Sequence, residues 1–338
     1  MSRELRLELL RKIEETRGSK VLGYVAGDRR GLETKIANDV FPIFHKHLMK
    51  MGRQEKIDLF LYSTGGLTMA GYALVNLVRE FCQNFNVLIP FKALSCATLI
   101  ALGADEILMT PMGQLSPIDP SVEHPLGPAV QLPGQPQARI APVNVEDVNA
   151  FVGLAKDEFG LQEEDSITKV FNLLASNVHP LALGAVQRSR EQIAFLAANL
   201  LNYHCGDEQR IEQIVNTLTR ERFSHDYIIC RREAKELLGL NIVEPNSEQT
   251  TLIVDLLNEY NELLSLDVPY NPEMELGTSD SGSFLFHRAI IESEDTTHVF
   301  GTQKEIRRME VQRPGIPIPV VGYQERILRE GWTEDNSV

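Results

Sequence analysis

The sequence contains little sulfur and few aromatic residues, and these shortages limit the kinds of site that it can form. Among 338 residues there are four cysteines, one tryptophan and only 7% aromatic residues. The cysteines lie far apart, without a CxxC pair or the close Cys and His spacing that zinc sites need: Cys82, Cys96, Cys205 and Cys230. We therefore expect reduced thiols, no metal site and no cofactor.

Basic residues are also few compared with acidic ones. The chain has 33 Lys and Arg residues against 47 Asp and Glu residues, which gives a formal net charge of -14. At long range such a charge repels nucleic acid and anionic lipid surfaces. We expect no nucleic-acid partner.

A long, uninterrupted apolar run is missing as well. The most apolar stretch, residues 87–109, contains Lys92, Asp105 and Glu106, whereas a membrane-spanning helix needs about 20 consecutive apolar residues. The first residues, MSRELRLELLRKIEETRG, carry charges throughout and lack the apolar region of a signal peptide. We therefore expect a cytoplasmic protein without a membrane span.

What the chain does have is the pattern of an α/β fold. Apolar residues make up 43% of the sequence and charged residues 24%, as in a soluble globular protein. Strand-like runs at 20–27, 56–63, 86–91 and 104–111 alternate with helical patterns at 33–52 and 67–85. This alternation predicts βαβ units and a largely parallel sheet.

The second half of the chain is mainly helical. After a proline-rich loop at 120–142, the pattern predicts helices at 144–160, 162–177, 180–201, 207–222 and near 248–265, and a β-hairpin at 288–306 that turns near Glu294 to Thr297. We expect an N-terminal helical arm (1–19), a core (20–245) and a C-terminal extension (246–338).

Two loops of the predicted sheet are expected to meet. Strand 56–63, helix 67–85 and strand 86–91 form one crossover unit, so both strands end at the same edge of the sheet. Ligands of open parallel sheets bind beyond that edge. Gly65 and Gly66 follow the first strand and Ser95 follows the second, so we expect them to lie close together.

These residue types suit acyl-group chemistry. A glycine pair can expose its backbone N–H groups, and the first N–H groups of a helix beginning at Cys96 have no partner within the helix. Together they would bind the developing oxyanion of a carbonyl attacked by Ser95. The alternative is structural: TGG is only a turn, and Ser95 is only an N-cap.

Three segments carry a resemblance to a known family. DLFLYSTGGLTMAGYAL, LSCATLIALGADEILM and LSPIDPSV resemble the Clp protease/crotonase superfamily and, within it, the serine dehydrogenase proteinase family, relatives of signal peptide peptidase A. FSHDYIICRREAKELLGLNIVEP is similar to the late hairpin of that family, so the likeness runs from about 20 to 245. The resemblance implies a spiral of βαβ units, a homo-oligomer, and hydrolysis of a peptide or protein substrate through an acyl-enzyme. It makes Ser95 the nucleophile, with the N–H groups of Gly65 and Cys96 in the oxyanion hole.

The general base departs from the family pattern. Clp proteolytic subunits place a histidine where this chain has Ile118 and Asp119, while signal peptide peptidase A uses a lysine from a later helix. Lys156 lies on the border of an apolar helix face, where desolvation would favour its neutral amine. Alternatively, its long side chain simply extends to water.

Histidines offer a second kind of base. His179 directly precedes a helix opened by Pro180, so its ring projects from a helix start, either toward the site or as a cap. His124 and His225 are weaker candidates.

The same residues fit three other functions. Cys96 is a rival nucleophile, because a thiol at a helix start has a lowered pKa. A crotonase-type acyl-thioester enzyme would use the same oxyanion hole with carboxylates such as Asp119 and Glu123. An inactive scaffold of the same fold is the third alternative.

Overall fold

The computed structural model describes residues 3–118, 121–122, 124–131, 139–141, 143–221, 227–312 and 319–338. By its internal contacts the chain divides into two compact units, residues 1–115 with 230–338, and residues 116–229. The boundaries expected after residues 19 and 245 both fall inside the first unit, because the C-terminal strands extend the sheet that the N-terminal strand begins.

The α-helices of the described residues are α1 (Arg3–Arg17), α2 (Phe41–Met51), α3 (Thr68–Arg79), α4 (Cys96–Leu102), α5 (Val145–Gly153), α6 (Glu164–Asn177), α7 (Pro180–Leu201), α8 (Glu208–Asn216), α9 (Arg231–Glu236), α10 (Ser247–Leu264) and α11 (Pro272–Leu276). A 3₁₀ turn (Asn38–Val40) precedes α2, and π-helical turns follow α5 (Leu154–Glu158) and α8 (Thr217–Glu221).

The strands are β1 (Lys20–Ala26), β2 (Gln54–Tyr62), β3 (Cys82–Ile89), β4 (Lys92–Ala93), β5 (Glu106–Met109), β6 (Gln114–Leu115), β7 (Ser121–Val122), β8 (Ala129–Val130), β9 (Arg139–Ile140), β10 (Val143–Asn144), β11 (Ile229–Cys230), β12 (Ile242–Val243), β13 (Ser281–Ser293), β14 (Thr296–Val311) and β15 (Val320–Glu334).

An eight-stranded sheet forms the centre of the first unit, with the order β12-β5-β3-β2-β1-β13-β14-β15. The strands from β12 to β1 are parallel to one another, and β13, β14 and β15 add to β1 in antiparallel fashion. The predicted α/β fold with a large, mostly parallel sheet is therefore confirmed.

The central strands are buried along most of their length, which explains their nearly continuous apolar sequence. Residues 21–26 of β1 and 57–62 of β2 are all buried. Strands covered on both faces by helices lose the alternation of apolar and polar residues that half-exposed strands show. Side chains of α1 and α10 pack with Phe60 of β2 and Leu88 of β3 in one apolar cluster.

Two elements differ from the sequence prediction. The helix expected at 33–52 begins only at Phe41, because Pro42 occupies the first turn of α2, where proline is favoured. The preceding residues are extended instead: Ile36 forms a parallel bridge with Gly66.

At the C-terminus, the hairpin predicted at 288–306 is present as β13 and β14, which are separated by Glu294 and Asp295. The third strand of this group, β15, was not predicted. Most of its side chains are exposed, so its sequence lacks the alternating pattern of a half-buried strand.

The second unit consists mainly of the predicted helices. Its helix α7 contacts both α5 and α8, and β7 pairs with β10 and β8 with β9 in short antiparallel ladders. In the part of the chain that the structure describes, no helix has the length and apolarity needed to cross a bilayer.

Candidate active site

The structure brings the glycine pair and Ser95 together. A Cβ atom built on Gly65 would lie 2.8 Å from the Cβ of Ser95 and 3.2 Å from its Oγ. Thirty residues of sequence separate these two positions, and the parallel crossover α3 closes that distance. The loop after β2 and the start of α4 therefore form one site.

Backbone pairing just before the two loops fixes this approach. The N–H of Ser63 donates to the carbonyl of Lys92 (2.9 Å), and the N–H of Leu94 donates to the carbonyl of Ser63 (3.0 Å). Ser63 and Ala93 thus form a parallel bridge. The chain ends of β2 and β4 are held in register immediately before the glycines and the serine.

Ser95 has an unusual backbone conformation, with φ 52° and ψ -115°. Ser265 is the other non-glycine residue with positive φ in the described ranges, but it ends α10 in the ordinary left-handed conformation, with ψ 44°. Conformations like that of Ser95 cost about 1–3 kcal/mol and occur mainly where function requires them. The neighbouring structure therefore holds Ser95 in a strained position.

The hydroxyl of Ser95 is not used to cap the helix. Ser95 occupies the N-cap position of α4, yet its side chain accepts no capping hydrogen bond, and the residue is partly exposed. A serine that served only as an N-cap would bond to the N–H of the second or third helical residue. The capping hydrogen bond that the N-cap alternative requires is therefore absent.

Both glycines are required by their surroundings. Gly65 has φ 111°, a conformation that favours glycine. A Cβ on Gly66 would lie 2.1 Å from the carbonyl oxygen of Ile36, which no side chain could accommodate. The loop is tied to Ile36, whose N–H donates to the Gly65 carbonyl (2.9 Å) and whose carbonyl accepts the N–H of Leu67 (2.8 Å).

The backbone N–H groups of the site are not equivalent. The N–H of Gly65 donates to the Oγ of Ser63 at 3.0 Å, so it is already engaged. Within the described residues, the N–H groups of Gly66 and Cys96 donate to no acceptor. In the bridge with Ile36, Gly66 uses neither of its backbone polar groups, since the bonds are made by Gly65 and Leu67. Gly66 and Cys96 therefore carry the backbone N–H groups of the two loops that no acceptor among the described residues engages.

Cys96 is a packing residue and not an activated thiol. Its side chain is buried, its Sγ donates to the carbonyl of Leu67 at 3.2 Å, and burial raises the pKa of the thiol to about 12. A Cβ on Gly71 would lie 2.5 Å from that Sγ, so α3 and α4 pack closely around it. The lowered pKa expected for a rival nucleophile is therefore wrong.

The two candidate bases have ordinary surroundings. Lys156 lies in the π-helical turn after α5 and is exposed, so the desolvation expected for it is absent. His179 caps α7, with its Nδ1 accepting the N–H of Leu181 at 3.1 Å. Both residues belong to the unit of residues 116–229. Their catalytic roles stay predictions.

Of the weaker candidates, only His124 lies within the described residues. His124 accepts the N–H of Leu126 through its Nδ1 at 3.2 Å. Asp119, Glu123 and His225 lie outside the described residues.

A charged cluster beside the loops was missed from the sequence. The Nζ of Lys92 lies 2.7 Å from an Oδ of Asp28, and the hydroxyl of Tyr62 donates to the other Oδ at 2.8 Å. Burial and the nearby carboxylate raise the pKa of Tyr62. The signal available in the sequence was a lone lysine within the apolar stretch 87–109. This cluster ties the ends of β1, β2 and β4 together next to Ser63.

Part of the chain is similar to a known protein family. Residues 2–132 match the sequence model of a family described as ClpP-like SDH-type serine proteinase. This range includes Gly65, Gly66, Ser95 and Cys96.

Two curated relatives come from Methanocaldococcus jannaschii. The chain is 28% identical to the uncharacterized protein MJ0137 over 207 residues, which are 61% of this chain and 60% of the relative. It is 24% identical to the uncharacterized protein MJ1495 over 284 residues, 79% of this chain and 82% of the relative. The chain thus spans less than two thirds of the length of MJ0137.

Among solved structures, the chain is similar to two mutant forms of the 1510-N membrane-bound stomatin-specific protease. One, in complex with a substrate peptide, has a TM-score of 0.38 and 15% identity over 64% of this chain and 73% of the other. The second has a TM-score of 0.39 and 15% identity over 72% and 86%. This likeness is too low to transfer an activity. Residues 2–132 are similar to the family described as ClpP-like SDH-type serine proteinase, which is the family that the motifs resemble.

Proposed function

We propose that the protein is a serine peptidase-like hydrolase that cleaves peptide bonds through an acyl-enzyme on Ser95. The observation that carries this proposal is the strained backbone of Ser95, packed against Gly65, with a hydroxyl that is not used as a helix cap. The family description of residues 2–132 supports a serine peptidase-like role.

In the first step, the Oγ of Ser95 attacks the carbonyl carbon of the scissile bond and gives its proton to a general base. The carbonyl oxygen becomes an oxyanion, which accepts hydrogen bonds from the N–H groups of Gly66 and Cys96. The C–N bond then breaks and the amine leaves with the proton. Water hydrolyses the resulting ester and releases the acid.

Gly66 replaces Gly65 as the expected donor because the Gly65 N–H is engaged with Ser63. Gly65 contributes instead by leaving space for Ser95. The removal of one oxyanion donor in enzymes of this type costs about 10²–10³ in kcat, so the choice between the two glycines has a measurable consequence.

The base is proposed to be Lys156 or His179, because an attacking serine needs a proton acceptor within hydrogen-bond reach. Peptide or protein substrates, a homo-oligomeric assembly and a cytoplasmic location belong to the same proposal. If Lys156→Ala abolishes labelling by a fluorophosphonate while His179→Ala retains it, the lysine is the base, and the reverse result identifies the histidine.

Labelling by a fluorophosphonate probe tests the nucleophile. Wild type is expected to be labelled at one site, and Ser95→Ala is expected to lose the label. Ser265→Ala provides the matched control, since it also removes the hydroxyl of a serine with positive φ. Equal labelling of Ser95→Ala and wild type would overturn the proposal. A folded wild type that takes no label would support the inactive scaffold, and acyl-CoA bound to the purified protein would support the thioester alternative.

A further inference from the structure

A cavity of about 210 Å³ lies in the unit that contains Ser95, apart from the serine itself. Its wall includes Tyr24, Glu33, Lys35, Asp39, Glu330 and Trp332. Pockets that hold drug-sized molecules usually measure about 300–1,000 Å³. This cavity therefore fits one side chain and not a large cofactor.

Hydrogen-bond acceptors predominate in the wall. Glu33, Asp39 and Glu330 contribute three carboxylates. Asp39 uses one oxygen to accept the indole N–H of Trp332 (2.9 Å), and Glu330 uses one oxygen to accept from Arg288 (2.8 Å). Within the described residues, the second oxygen of each of these two carboxylates accepts no hydrogen bond.

The arginine of the wall is not available to an anion. Arg288 donates its Nε to the Leu32 carbonyl (2.9 Å) and its terminal nitrogens to Thr302, Glu330 and the Glu33 carbonyl. An anionic ligand would have to break these bonds. With Arg288 engaged, the carboxylates outnumber the one other cation, Lys35.

The hydroxyl of Tyr24, a side chain with almost no exposure, also has no hydrogen-bond partner among the described residues. Tyr24 is only 1% exposed and lines the cavity, and no group in the described ranges forms a hydrogen bond with its hydroxyl. A buried hydroxyl without a hydrogen bond costs free energy. A ligand that donates a hydrogen bond would satisfy it.

Aromatic rings form the remaining side. Trp332 and Phe300 pack edge to face with ring centroids 5.5 Å apart, and both rings line the cavity. Aromatic faces beside carboxylates bind organic cations through cation–π attraction together with charge.

We propose that this cavity binds an organic cation on an apolar stem, namely the ammonium or guanidinium group of a lysine or arginine side chain in a polypeptide. The stem lies against the aromatic rings, and the charged head bonds to Asp39, Glu33 and the hydroxyl of Tyr24. The polypeptide source rests on the proposed peptidase function, whereas binding of the cation does not.

The cavity wall is continuous with the catalytic loop. Ile36 lies between Glu33 and Asp39 in the chain, and its backbone binds the Gly65 carbonyl and the Leu67 N–H. A side chain held in the cavity therefore rests on the segment that supports the glycine pair. This arrangement makes it a docking subsite for substrates that carry a basic residue at a distance from the scissile bond.

Trp332 makes the proposal directly testable, because it is the one tryptophan of the chain. Ser95→Ala protein is titrated with N-acetyl-lysine methylamide and with the neutral analogue N-acetyl-norleucine methylamide, and Trp332 fluorescence and heat of binding are recorded. The lysine compound is expected to give a saturable change that weakens with added salt. The norleucine compound is expected to bind at least tenfold more weakly.

Variants identify the binding groups. Asp39→Asn keeps an acceptor for Trp332 and removes the charge, so calorimetry should show at least a tenfold loss of affinity. Tyr24→Phe should weaken binding severalfold. Glu310→Gln is the matched control, since this exposed carboxylate of β14 lies outside the cavity wall.

Equal affinity for the lysine and norleucine compounds, or unchanged affinity in folded Asp39→Asn, would overturn the inference. An acetylated peptide with one lysine should bind as tightly as the amide, and failure of the peptide alone would overturn its polypeptide source. The titrations use protein without the Ser95 hydroxyl, so their outcome is independent of the fluorophosphonate test.

Discussion

Gly65 and Ser95 are so close that a methyl group on the glycine would stand 2.8 Å from the Cβ of the serine. This contact joins the two loops of the site and leaves no room for a side chain. The serine hydroxyl can therefore take its position only because residue 65 has no Cβ atom.

Replacing Gly65 by alanine should displace Ser95 and reduce the rate of fluorophosphonate labelling at least 100-fold, because small misplacements of reacting groups have effects of this size. Stability should fall by about 1–3 kcal/mol, since alanine is strained at φ 111°. The labelling rate and urea denaturation measure the two effects.

Gly52→Ala separates the causes, because Gly52 has φ 71° but free space around a built Cβ. It should lose stability without losing labelling. Normal labelling of Gly65→Ala would contradict the proposed role of the contact.

Cys96→Ala should keep the fluorophosphonate label, because the thiol is buried and its pKa is raised to about 12. The smaller side chain leaves a cavity beside Gly71, so a loss of about 1–2 kcal/mol of stability is expected. Mass spectrometry of the labelled protein provides the measurement.

In wild type, a thiol reagent should modify the exposed Cys230 well before Cys96, and Cys230→Ala serves as the control. Loss of the label from folded Cys96→Ala would restore the thiol as a candidate nucleophile.

Asp28→Asn should destabilise the edge of the sheet next to Ser63. The change removes the charge that pairs with Lys92 at 2.7 Å and weakens the acceptor of the Tyr62 hydroxyl. Hydrogen bonds to charged groups contribute about 1.5–3 kcal/mol, so a loss of about 2 kcal/mol is expected in chemical denaturation.

The pair formed by Arg232 and Glu236 is largely exposed, so Glu236→Gln is a suitable comparison and should change stability by less than about 1 kcal/mol. Equal effects of the two substitutions would show that the cluster at Asp28 has no special importance.

Buried histidines should make stability depend on pH. The Nδ1 of His47 lies 2.8 Å from the Oγ of Ser293, and its Nε2 lies 3.0 Å from the Nδ1 of His298. Burial first, then the neighbouring His298 and Lys50, lower the pKa of His47 from 6.5 to about 3. The pKa of His298 is also lowered, mainly by burial, although Glu334 opposes the shift.

Between pH 6.5 and about 3 the unfolded chain binds protons that the folded chain does not, so stability should fall as the pH falls through this window. Each such group contributes about 1.4 kcal/mol per pH unit. His47→Gln should reduce this slope, whereas His45→Gln, an exposed neighbour in α2, should leave it unchanged. Urea denaturation from pH 7 to 4 provides the test, and an identical slope in His47→Gln would contradict it.

The sequence was sufficient to predict the parallel sheet and the approach of Gly65 to Ser95. Crossover connections between parallel strands are right-handed, so consecutive βαβ units can be arranged in only a few ways. The hairpin near Glu294 was also predictable, since β-rich runs flank a short polar turn. These features depend on local pattern and topology, which a single sequence contains.

Other features could not be predicted, because they depend on individual contacts that do not appear in the pattern of apolar and polar residues. The engagement of the Gly65 N–H depends on the hydroxyl of Ser63, and the exposure of Lys156 depends on what packs against its helix. The cavity wall at Tyr24 includes residues of the segment 33–37, where the periodicity predicted a helix and the structure has none.

Strand β1 pairs with β13 in antiparallel fashion, with Val25 opposite Ile290. One edge of β1 therefore has no partner strand until β13 has been synthesised. On the ribosome, β1 would emerge early and keep an open hydrogen-bonding edge until β13 arrives. Open edges of this kind recruit other strands. The nascent chain therefore passes through a stage in which its N-terminal strand is most vulnerable to aggregation.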